Sequence, residues 1–211
     1  MTQTDISLPA PRMTQEERVE RSESLMLEAA TDLIIERGTQ NTTLKDIGER
    51  AGYSRGLANA RFGSKEALLV RLSDTHRGVW LRSLKRAAQG KTGLAALLSR
   101  IEASRAFARK HPREARVMYT LWFESVGTSS EINDSLRRFH DAARNDIAGL
   151  ALEAGLFDGE GAERDAKHFG VRFCATMFGL SYQWLVDGDA FDLVNLMDEL
   201  EKEVLKLAKR P

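Results

Sequence analysis

Three features are scarce in this chain, and each scarcity excludes a class of protein. Cysteine occurs once in 211 residues, as Cys174, so the chain can form no internal disulfide and no zinc site built from several cysteines. Proline occurs four times, which argues against a long disordered tail or a loop-rich all-β fold. Acidic and basic residues number 31 each, so the net charge by itself indicates neither a nucleic-acid nor a membrane partner.

Long apolar runs are also missing. No stretch approaches the roughly 18 consecutive apolar residues that a membrane-spanning helix needs, so we expect no membrane partner. The first residues contain no apolar segment of the kind found in secretory signals. Together with the single cysteine, these features predict a protein of the reducing cytoplasm.

The balanced charge is distributed unevenly along the chain. Residues 53–86 hold eight basic and two acidic side chains, whereas residues 187–203 hold seven acidic side chains and one basic one. A polyanion would therefore be attracted to the first segment and repelled by the second. Because charged segments are usually just solvated helix faces, the basic segment matters only if a binding motif lies beside it.

Helical periodicity dominates the chain after an N-terminal arm, residues 1–13, that we expect to be flexible. Apolar residues recur at spacings of three and four, and no segment alternates with period two for long enough to predict a sheet. Typical helix N-caps precede the first four helical segments, at Thr14, Thr43, Ser54 and Ser64. Later breaks are predicted at residues 90–93, 111–112, 127–130, 155–161 and 187–189. The sequence thus predicts an all-α fold of about nine helices.

The most informative pattern lies within residues 42–69. Two short helical segments meet at Gly52, as in a helix-turn-helix, and glycine suits such a turn because a left-handed backbone carries no Cβ penalty there. A short helix with a polar outer face is the element that enters a DNA major groove. Its Ser54, Arg55 and free N-terminal amides can reach phosphates or base edges. Helical hairpins also occur as plain packing units, so the pattern alone leaves both interpretations open.

The same stretch, TTLKDIGERAGYSRGLANARFGSKEALL, resembles the DNA-binding region of the TetR family of bacterial transcriptional regulators. The resemblance is close from the helix ending at Gly38 to Leu68, and elsewhere it extends only to length and helical layout. It implies a three-helix DNA-binding unit, a linking helix, and a larger core for ligand binding and dimerisation. The implied domains are residues 14–63 for the helix-turn-helix unit and residues 64–211 for the linking helix and the core.

The resemblance also implies which residues face DNA. The segment 54–61 corresponds to the recognition helix, and Lys65 to a lysine that meets a phosphate at the start of the linking helix. Family members mostly carry an aromatic residue where this chain has Asn59, which can instead bond a phosphate or an adenine edge. For Tyr53, partial packing at the turn is the alternative. The predicted DNA-binding residues are Thr43, Lys45, Tyr53, Ser54, Arg55, Asn59, Arg61 and Lys65.

Two apolar patterns near the C-terminus predict a dimer interface. Residues 163–186 are apolar on two faces, as in a helix buried on two sides. The final helix repeats apolar residues at spacings of four, three, four and three, which is typical of a coiled-coil seam. In the family, the last two helices form a four-helix bundle across a twofold axis, and an ordinary monomer core is the alternative. The predicted interface residues are Phe178, Tyr182, Leu193, Met197, Leu200, Val204 and Leu207.

Large apolar side chains in the middle of the chain predict a ligand pocket. The resemblance implies a small-molecule site in this unit, and a lining of Trp, Phe and Met suits an apolar or aromatic ligand. Such clusters are, however, more often plain core. The predicted lining residues are Phe107, Met118, Tyr119, Trp122, Phe123, Phe139, His140, Phe173 and Met177.

Catalytic and metal-binding signatures are not found in the sequence. The four histidines are scattered without metal-ligand spacing, and there is no phosphate-binding glycine loop and no nucleophile elbow. We therefore expect no enzyme, no cofactor and no metal, but a homodimeric repressor that binds a near-palindromic double-stranded DNA operator and is released by a small-molecule effector. The alternatives are an all-α enzyme that uses the aromatic pocket, or a helical protein-interaction module without regulatory DNA binding.

Overall fold

The computed structural model describes residues 13–126 and 131–209, and within them the protein consists of nine α-helices without strands. The predicted all-α class is therefore confirmed. Residues 1–12 of the predicted arm and the predicted break at 127–130 lie outside the described residues. The helices are α1 (Gln15–Arg37), α2 (Leu44–Arg50), α3 (Arg55–Phe62), α4 (Lys65–Ala88), α5 (Gly93–Lys110), α6 (Pro112–Ser125), α7 (Glu131–Glu153), α8 (Ala162–Val186) and α9 (Leu193–Leu207).

The first four helices begin where the predicted caps lie. At α1, the Glu17 amide donates to the Thr14 hydroxyl at 3.1 Å, and the Glu17 carboxylate accepts from the Thr14 amide at 2.7 Å. This reciprocal pair satisfies two amides that the helix itself leaves free. Thr43 and Asp46 repeat the arrangement at α2. The hydroxyls of Ser54 and Ser64 cap α3 and α4, so local sequence signals set these boundaries.

The N-terminal unit packs around a core shared by α1, α2, α3 and parts of two later helices. Met26, Ile34 and Ile47 are at most 2% exposed, and the inner faces of α2 and α3 close over them. Leu68 from α4 and Val117 from α6 are buried in the same cluster. The short helices α2 and α3 are thus held by tertiary contacts, which helices of that length require.

The C-terminal unit has its own core between α5, α7, α8 and α9. Its closest approach is between α7 and α8, where a Cβ added to Gly170 would lie 2.5 Å from the Arg144 carbonyl oxygen. Arg100 on α5 pairs with Asp146 on α7 at 2.8 Å. These contacts connect α5, α7 and α8, which surround an internal cavity.

The apolar seam of α9 packs inside this core. Leu193, Met197, Leu200 and Val204 are at most 8% exposed and lie in one cluster with α5 and α8 residues, and Leu207 packs partly against the same cluster. These side chains have almost no surface left for a second subunit. Their burial within one chain fits the alternative, a monomer core, and their assignment to a dimer interface stays a prediction. The spacing predicted burial, but it did not say whether the partner would be the same chain.

Two helices belong to both units. α4 places Leu72 in the N-terminal core and Trp80 in a third buried cluster, which also contains Phe107 and Phe139. α6 likewise reaches both clusters, with Val117 and Met118 on different sides. Each of these two helices therefore connects the helix-turn-helix core to the core of the C-terminal unit.

Polar contacts fasten α6 to α1 at both ends. The Arg113 guanidinium donates to the Asp32 carboxylate from two nitrogens, at 2.9 and 2.6 Å. Near the other end, the Thr39 hydroxyl donates to the Glu124 carboxylate. Together with the apolar packing, these two polar contacts fix the orientation of α6 relative to α1.

Candidate nucleic-acid interface and internal cavity

The turn between α2 and α3 depends on two glycines. Gly52 has φ of +79°, the left-handed conformation expected for it. Gly48, inside α2, was not singled out from the sequence, although an isolated glycine in so short a helix is a recognisable signal. A Cβ there would lie 3.0 Å from the Ser54 carbonyl oxygen, so any larger residue would push the start of α3 away from α2 by a few tenths of an ångström.

The outer face of α3 is polar and open to solvent. Arg55, Asn59 and the capping Ser54 are exposed, whereas Ala58 and Phe62 on the opposite face are buried. The Ser54 hydroxyl accepts from the Leu57 amide at 3.2 Å, so its first role is to start the helix. The arrangement presents a helix N-terminus and a flexible cation to the same side, which suits an anionic partner.

Other predicted DNA-facing residues have partners within the chain. Arg61 is half-buried and donates to the Ser22 hydroxyl at 3.2 Å, which ties α3 to α1. Thr43 is exposed but serves as the cap of α2. Lys45 lies 3.8 Å from Glu49, a long and solvent-exposed pair. Tyr53 is half-buried against the N-terminal core.

Ion pairing divides the cations of this surface into two groups. Around α2 the cations face carboxylates: Arg37 pairs with Asp46 at 3.0 Å and Arg50 with Glu36 at 2.9 Å. Hydrogen bonds from Thr43 and the charge of Arg37 lower the pKa of Asp46, so this carboxylate stays ionised.

Arg55 on α3 and Lys65 at the start of α4 belong to the second group. Neither forms an ion pair or a side-chain hydrogen bond with any residue in 13–126 or 131–209. These two cations are therefore the ones left available to an external anion.

A cavity of about 910 Å³ lies between α4, α5, α7 and α8. Its inner wall is apolar and includes Trp80, Phe139, Ile147, Phe173 and Met177. The volume is within the range of about 300–1,000 Å³ that is typical of small-molecule sites. The contribution of α4 to this wall was not anticipated, because the relevant residues carry no sequence signal beyond ordinary helical spacing.

The structure distributes the predicted pocket residues over three places. Phe139, Phe173 and Met177 line the 910 Å³ cavity. Phe107, Met118, Tyr119 and Trp122 border a space of only about 40 Å³, and Tyr119 and Trp122 also reach an outer groove of about 490 Å³. Phe123 and His140 face the same groove. The predicted set is therefore not one cavity, because the aromatic side chains of α6 pack against each other and against α8.

The aromatic cluster of α6, α7 and α8 is tightly interlocked. Trp122 meets Phe139, His140 and Phe178 with ring centroids 5.0–5.5 Å apart. The Tyr119 hydroxyl donates to the Phe178 carbonyl oxygen at 2.9 Å, and burial raises the pKa of this phenol. Burial also lowers the pKa of His140, so its imidazole is held in the neutral form.

One face of α8 remains apolar and open. Val171 is 50% exposed, Tyr182 38% and Val186 70%, and the neighbouring Phe123 on α6 is 54% exposed. Phe178 is half-buried, since it packs against both C-terminal clusters. Tyr182 packs against Phe123 with the rings tilted by 51° and their centroids 4.6 Å apart, which extends the apolar surface from α8 onto α6.

Neither a metal site nor a membrane span is found in the part of the chain that the structure describes. No group of three or more His, Cys, Asp or Glu side chains in residues 13–126 and 131–209 could hold a metal ion. No helix within these ranges is long and apolar enough to cross a bilayer.

Comparison with known proteins relates the N-terminal unit to regulators. Residues 26–72 match the profile of bacterial regulatory proteins of the tetR family. The chain is 31% identical over 93 residues to an uncharacterized HTH-type transcriptional regulator of Bacillus subtilis, covering 44% of this chain and 45% of that protein. It is 41% identical over 59 residues to an HTH-type transcriptional repressor of Mycobacterium tuberculosis, covering 28% and 31%. The chain thus matches less than half the length of these curated relatives.

Solved structures share the fold over most of the chain. A TetR-like transcriptional regulator from Rhodococcus sp. RHA1 superposes with a TM-score of 0.73 at 19% identity, covering 94% of this chain and 100% of that one. A SmeT–triclosan complex superposes with a TM-score of 0.69 at 19% identity, covering 88% and 90%. At these identities the likeness concerns the fold, which confirms the predicted arrangement of a helix-turn-helix unit, a linking helix and a larger helical core.

Proposed function

We propose that this chain, whose residues 26–72 match the profile of bacterial regulatory proteins of the tetR family, is a homodimeric repressor that binds a near-palindromic double-stranded operator and is released by a small molecule. The observation that carries the proposal is the exposed outer face of α3, where Arg55 has no partner in the described residues, beside the half-buried and likewise unpartnered Lys65 at the start of α4. The proposal is one of binding, with no chemical step.

DNA contact is assigned to the N-terminal half of α3 and the residues on either side. Arg55 and Asn59 point to solvent from one helix face, where a guanidinium and an amide can read base edges in the major groove. Lys65, at the first position of α4, supplies a phosphate contact beside them. Thr43, Lys45, Tyr53 and Ser54 surround this face, and Arg61 supports it from behind through Ser22.

Dimerisation is assigned to the open face of α8. The exposed side chains of Val171, Tyr182 and Val186 follow helical spacing along one side of this helix. A second copy that covers this stripe would bury apolar surface that one chain leaves in water, which favours association. Two recognition helices would then contact two half-sites of the operator. These half-sites would be separated by one helical turn of DNA, about 34 Å, or by a multiple of that distance.

The effector site is assigned to the cavity between α4, α5, α7 and α8. The triclosan in the SmeT complex is an example of a small molecule bound by a protein of similar fold. α4 forms one cavity wall and also packs through Leu68 and Leu72 in the helix-turn-helix core. A ligand that favours a different position of α4 would thereby change the distance between the two recognition helices, which couples the sites.

Repression, rather than activation, is proposed because a Mycobacterium tuberculosis protein that is 41% identical to this chain over 59 residues is an HTH-type transcriptional repressor. Occupation of an operator by a dimer of this type blocks access to the DNA, and release by effector restores it.

The experiment is operator selection from a random DNA pool, followed by mobility-shift titrations at several salt concentrations. We expect Arg55→Ala and Lys65→Ala each to weaken binding by about 1–3 kcal/mol and, for a lost phosphate contact, to flatten the salt slope by about one unit. Arg116→Ala is the matched control, because Arg116 is an exposed cation on α6 that has no side-chain partner in the described residues. If Arg55→Ala and Lys65→Ala both bind the operator with wild-type affinity, these residues do not contact the DNA.

A further inference from the structure

We propose that the 910 Å³ cavity binds an anionic amphiphile, a molecule with an apolar body and one carboxylate head. This inference rests on the proposed effector function and specifies its ligand class. It differs from the expectation of a purely apolar or aromatic ligand, and the reason is the charge at the cavity rim.

The inner part of the cavity suits an apolar body. Phe139, Ile147, Phe173 and Met177 line it and are at most 8% exposed, so the space between them is enclosed by side chains without charge. Leu81 also lines the cavity and is 47% exposed, so its apolar side chain is open to water. An apolar ligand body would cover this surface and gain the free energy of removing it from water.

The rim contributed by α4 is cationic. Arg82, Lys85 and Arg86 line the cavity and follow one another at spacings of three and one along the same side of the helix. None forms an ion pair or a side-chain hydrogen bond with any residue that the structure describes. Lys85 and Arg86 lie in the last turn of α4, where cations also interact favourably with the helix dipole. Arg82 lies one turn earlier, where that effect has faded.

The opposite wall does not neutralise these cations. Asp146 is the single acidic side chain among the described residues that line the cavity, and Arg100 engages it from two nitrogens at 2.8 and 3.1 Å. The pair is balanced within itself, so the three α4 cations remain without a counter-charge. A carboxylate at the rim would accept charge-assisted hydrogen bonds from them, and these are stronger beside an apolar wall than in bulk water.

The charge pattern discriminates between ligand classes. A neutral apolar molecule would fill the inner space and leave the rim cations as they are. A cationic amphiphile would place like charges together at the rim. Only an anionic head combines with the apolar wall to use both parts of the cavity.

Cys174 provides a direct reporter of occupancy. It is the single cysteine of the chain and lines the cavity, so any thiol modification reports this one position. Burial raises the pKa of its thiol to about 11, so alkylation at neutral pH is slow and depends on access to the cavity. A molecule in the cavity should slow it further.

The test measures alkylation of Cys174 by N-ethylmaleimide, followed by intact-protein mass, with three probes of equal chain length below their micelle concentrations. Dodecanoate should protect Cys174 at a concentration about tenfold lower than 1-dodecanol, and dodecylamine should protect least. The triple variant Arg82→Gln/Lys85→Gln/Arg86→Gln should bring dodecanoate protection to the level of dodecanol and leave dodecanol protection unchanged. These exposed positions tolerate glutamine, a good helix former.

The matched control removes the same number of charges away from the cavity. Arg109→Gln/Arg116→Gln/Arg138→Gln changes three exposed cations that do not line the cavity and have no side-chain partner in the described residues. Dodecanoate protection should survive in this control.

Four results would each overturn the proposal: equal protection by dodecanoate and dodecanol, stronger protection by dodecylamine, full dodecanoate protection in the α4 triple variant, or no protection by any probe. Operator binding by the same preparation is measured separately. If operator binding persists, only the ligand class fails. If dodecanoate protects but no DNA is bound, the regulatory function fails and the cavity assignment stands.

Discussion

His76 joins the linking helix to α1 through a buried contact that sequence analysis assigned no role. It is 6% exposed, and its Nε2 lies 2.9 Å from the Thr31 hydroxyl. That hydroxyl donates its own proton to the Leu27 carbonyl oxygen, so Nε2 must be the donor to Thr31 and the ring is the neutral Nε2–H tautomer. Nδ1 is buried without a hydrogen-bond partner among the described residues, so a second proton would have no acceptor there.

At this residue scale we predict a loss of stability in mild acid. Burial, with a smaller contribution from the Arg113 charge, lowers the pKa of His76 in the folded chain, against the opposing effect of Glu114. The unfolded chain takes up the proton near pH 6.5, so the free energy of unfolding is unaffected by His76 above that pH and falls as the pH drops below it. The half-buried His140, whose pKa burial also lowers, acts in the same direction.

Urea unfolding at pH 7.5 and pH 5.5 measures this effect. His76→Gln should reduce the difference between the two free energies of unfolding, whereas His168→Gln, at an exposed position, should leave it as in the wild type. A difference that is the same in all three proteins would assign the acid sensitivity to other groups.

At the scale of single helices, α8 and α9, both predicted to lie at a dimer interface, differ in exposure. The regular apolar seam of α9 is inside the chain, and the less regular outer face of α8 is open. The buried seam contributes to the stability of each chain, and the open face is available for association.

Substitutions on α8 should therefore disrupt the dimer, whereas substitutions on α9 should destabilise each chain. Val171→Glu combined with Tyr182→Glu should yield a folded monomer, because both side chains are at least 38% exposed in one chain. Leu200→Glu, which buries an unpaired charge, should instead lower the free energy of unfolding by several kcal/mol. Sedimentation velocity and urea unfolding of both proteins separate the outcomes. A Leu200→Glu variant that is monomeric but as stable as the wild type would show that α9 lies in the dimer interface.

At the scale of the whole molecule, the two units are joined through shared helices rather than through a linker. α4 and α6 have buried residues in both cores, and the Arg113–Asp32 and Thr39–Glu124 contacts fasten α6 to α1. The division into residues 14–63 and 64–211 therefore describes two functions, and we propose that it does not describe two independent folding units.

A single cooperative unfolding transition is the expected consequence. All three tryptophans, Trp80, Trp122 and Trp184, lie in the C-terminal unit, so their fluorescence reports that unit alone. The urea midpoint of the fluorescence change should coincide with the urea midpoint at which the amides of α1, α2 and α3 lose protection from hydrogen exchange. Arg113→Ala combined with Glu124→Ala should separate the two midpoints, with the exposed-surface variant Arg138→Ala as control. Separate midpoints in the wild type would show independent domains.

The sequence by itself determined the elements and the DNA-binding motif. Helix starts at Thr14, Thr43, Ser54 and Ser64 were predicted correctly because an N-cap depends on bonds to residues two or three positions away. The turn at Gly52 was predictable for the same reason. The exposed α3 face followed from helical spacing within a recognised motif, although the role of each side chain in DNA binding remains a prediction.

The tertiary structure alone decided what each buried face packs against. Helical spacing identified the α9 seam as buried, but only the fold shows that its partner is the same chain. Aromatic content predicted a pocket near Trp122, yet those rings fill the space between α6, α7 and α8, and the larger cavity opens beside α4. Arg61 likewise turns back to Ser22. The physical reason is that helical periodicity indicates which side chains are removed from water. Cavities and packing partners depend instead on the relative positions of helices that lie far apart in the chain.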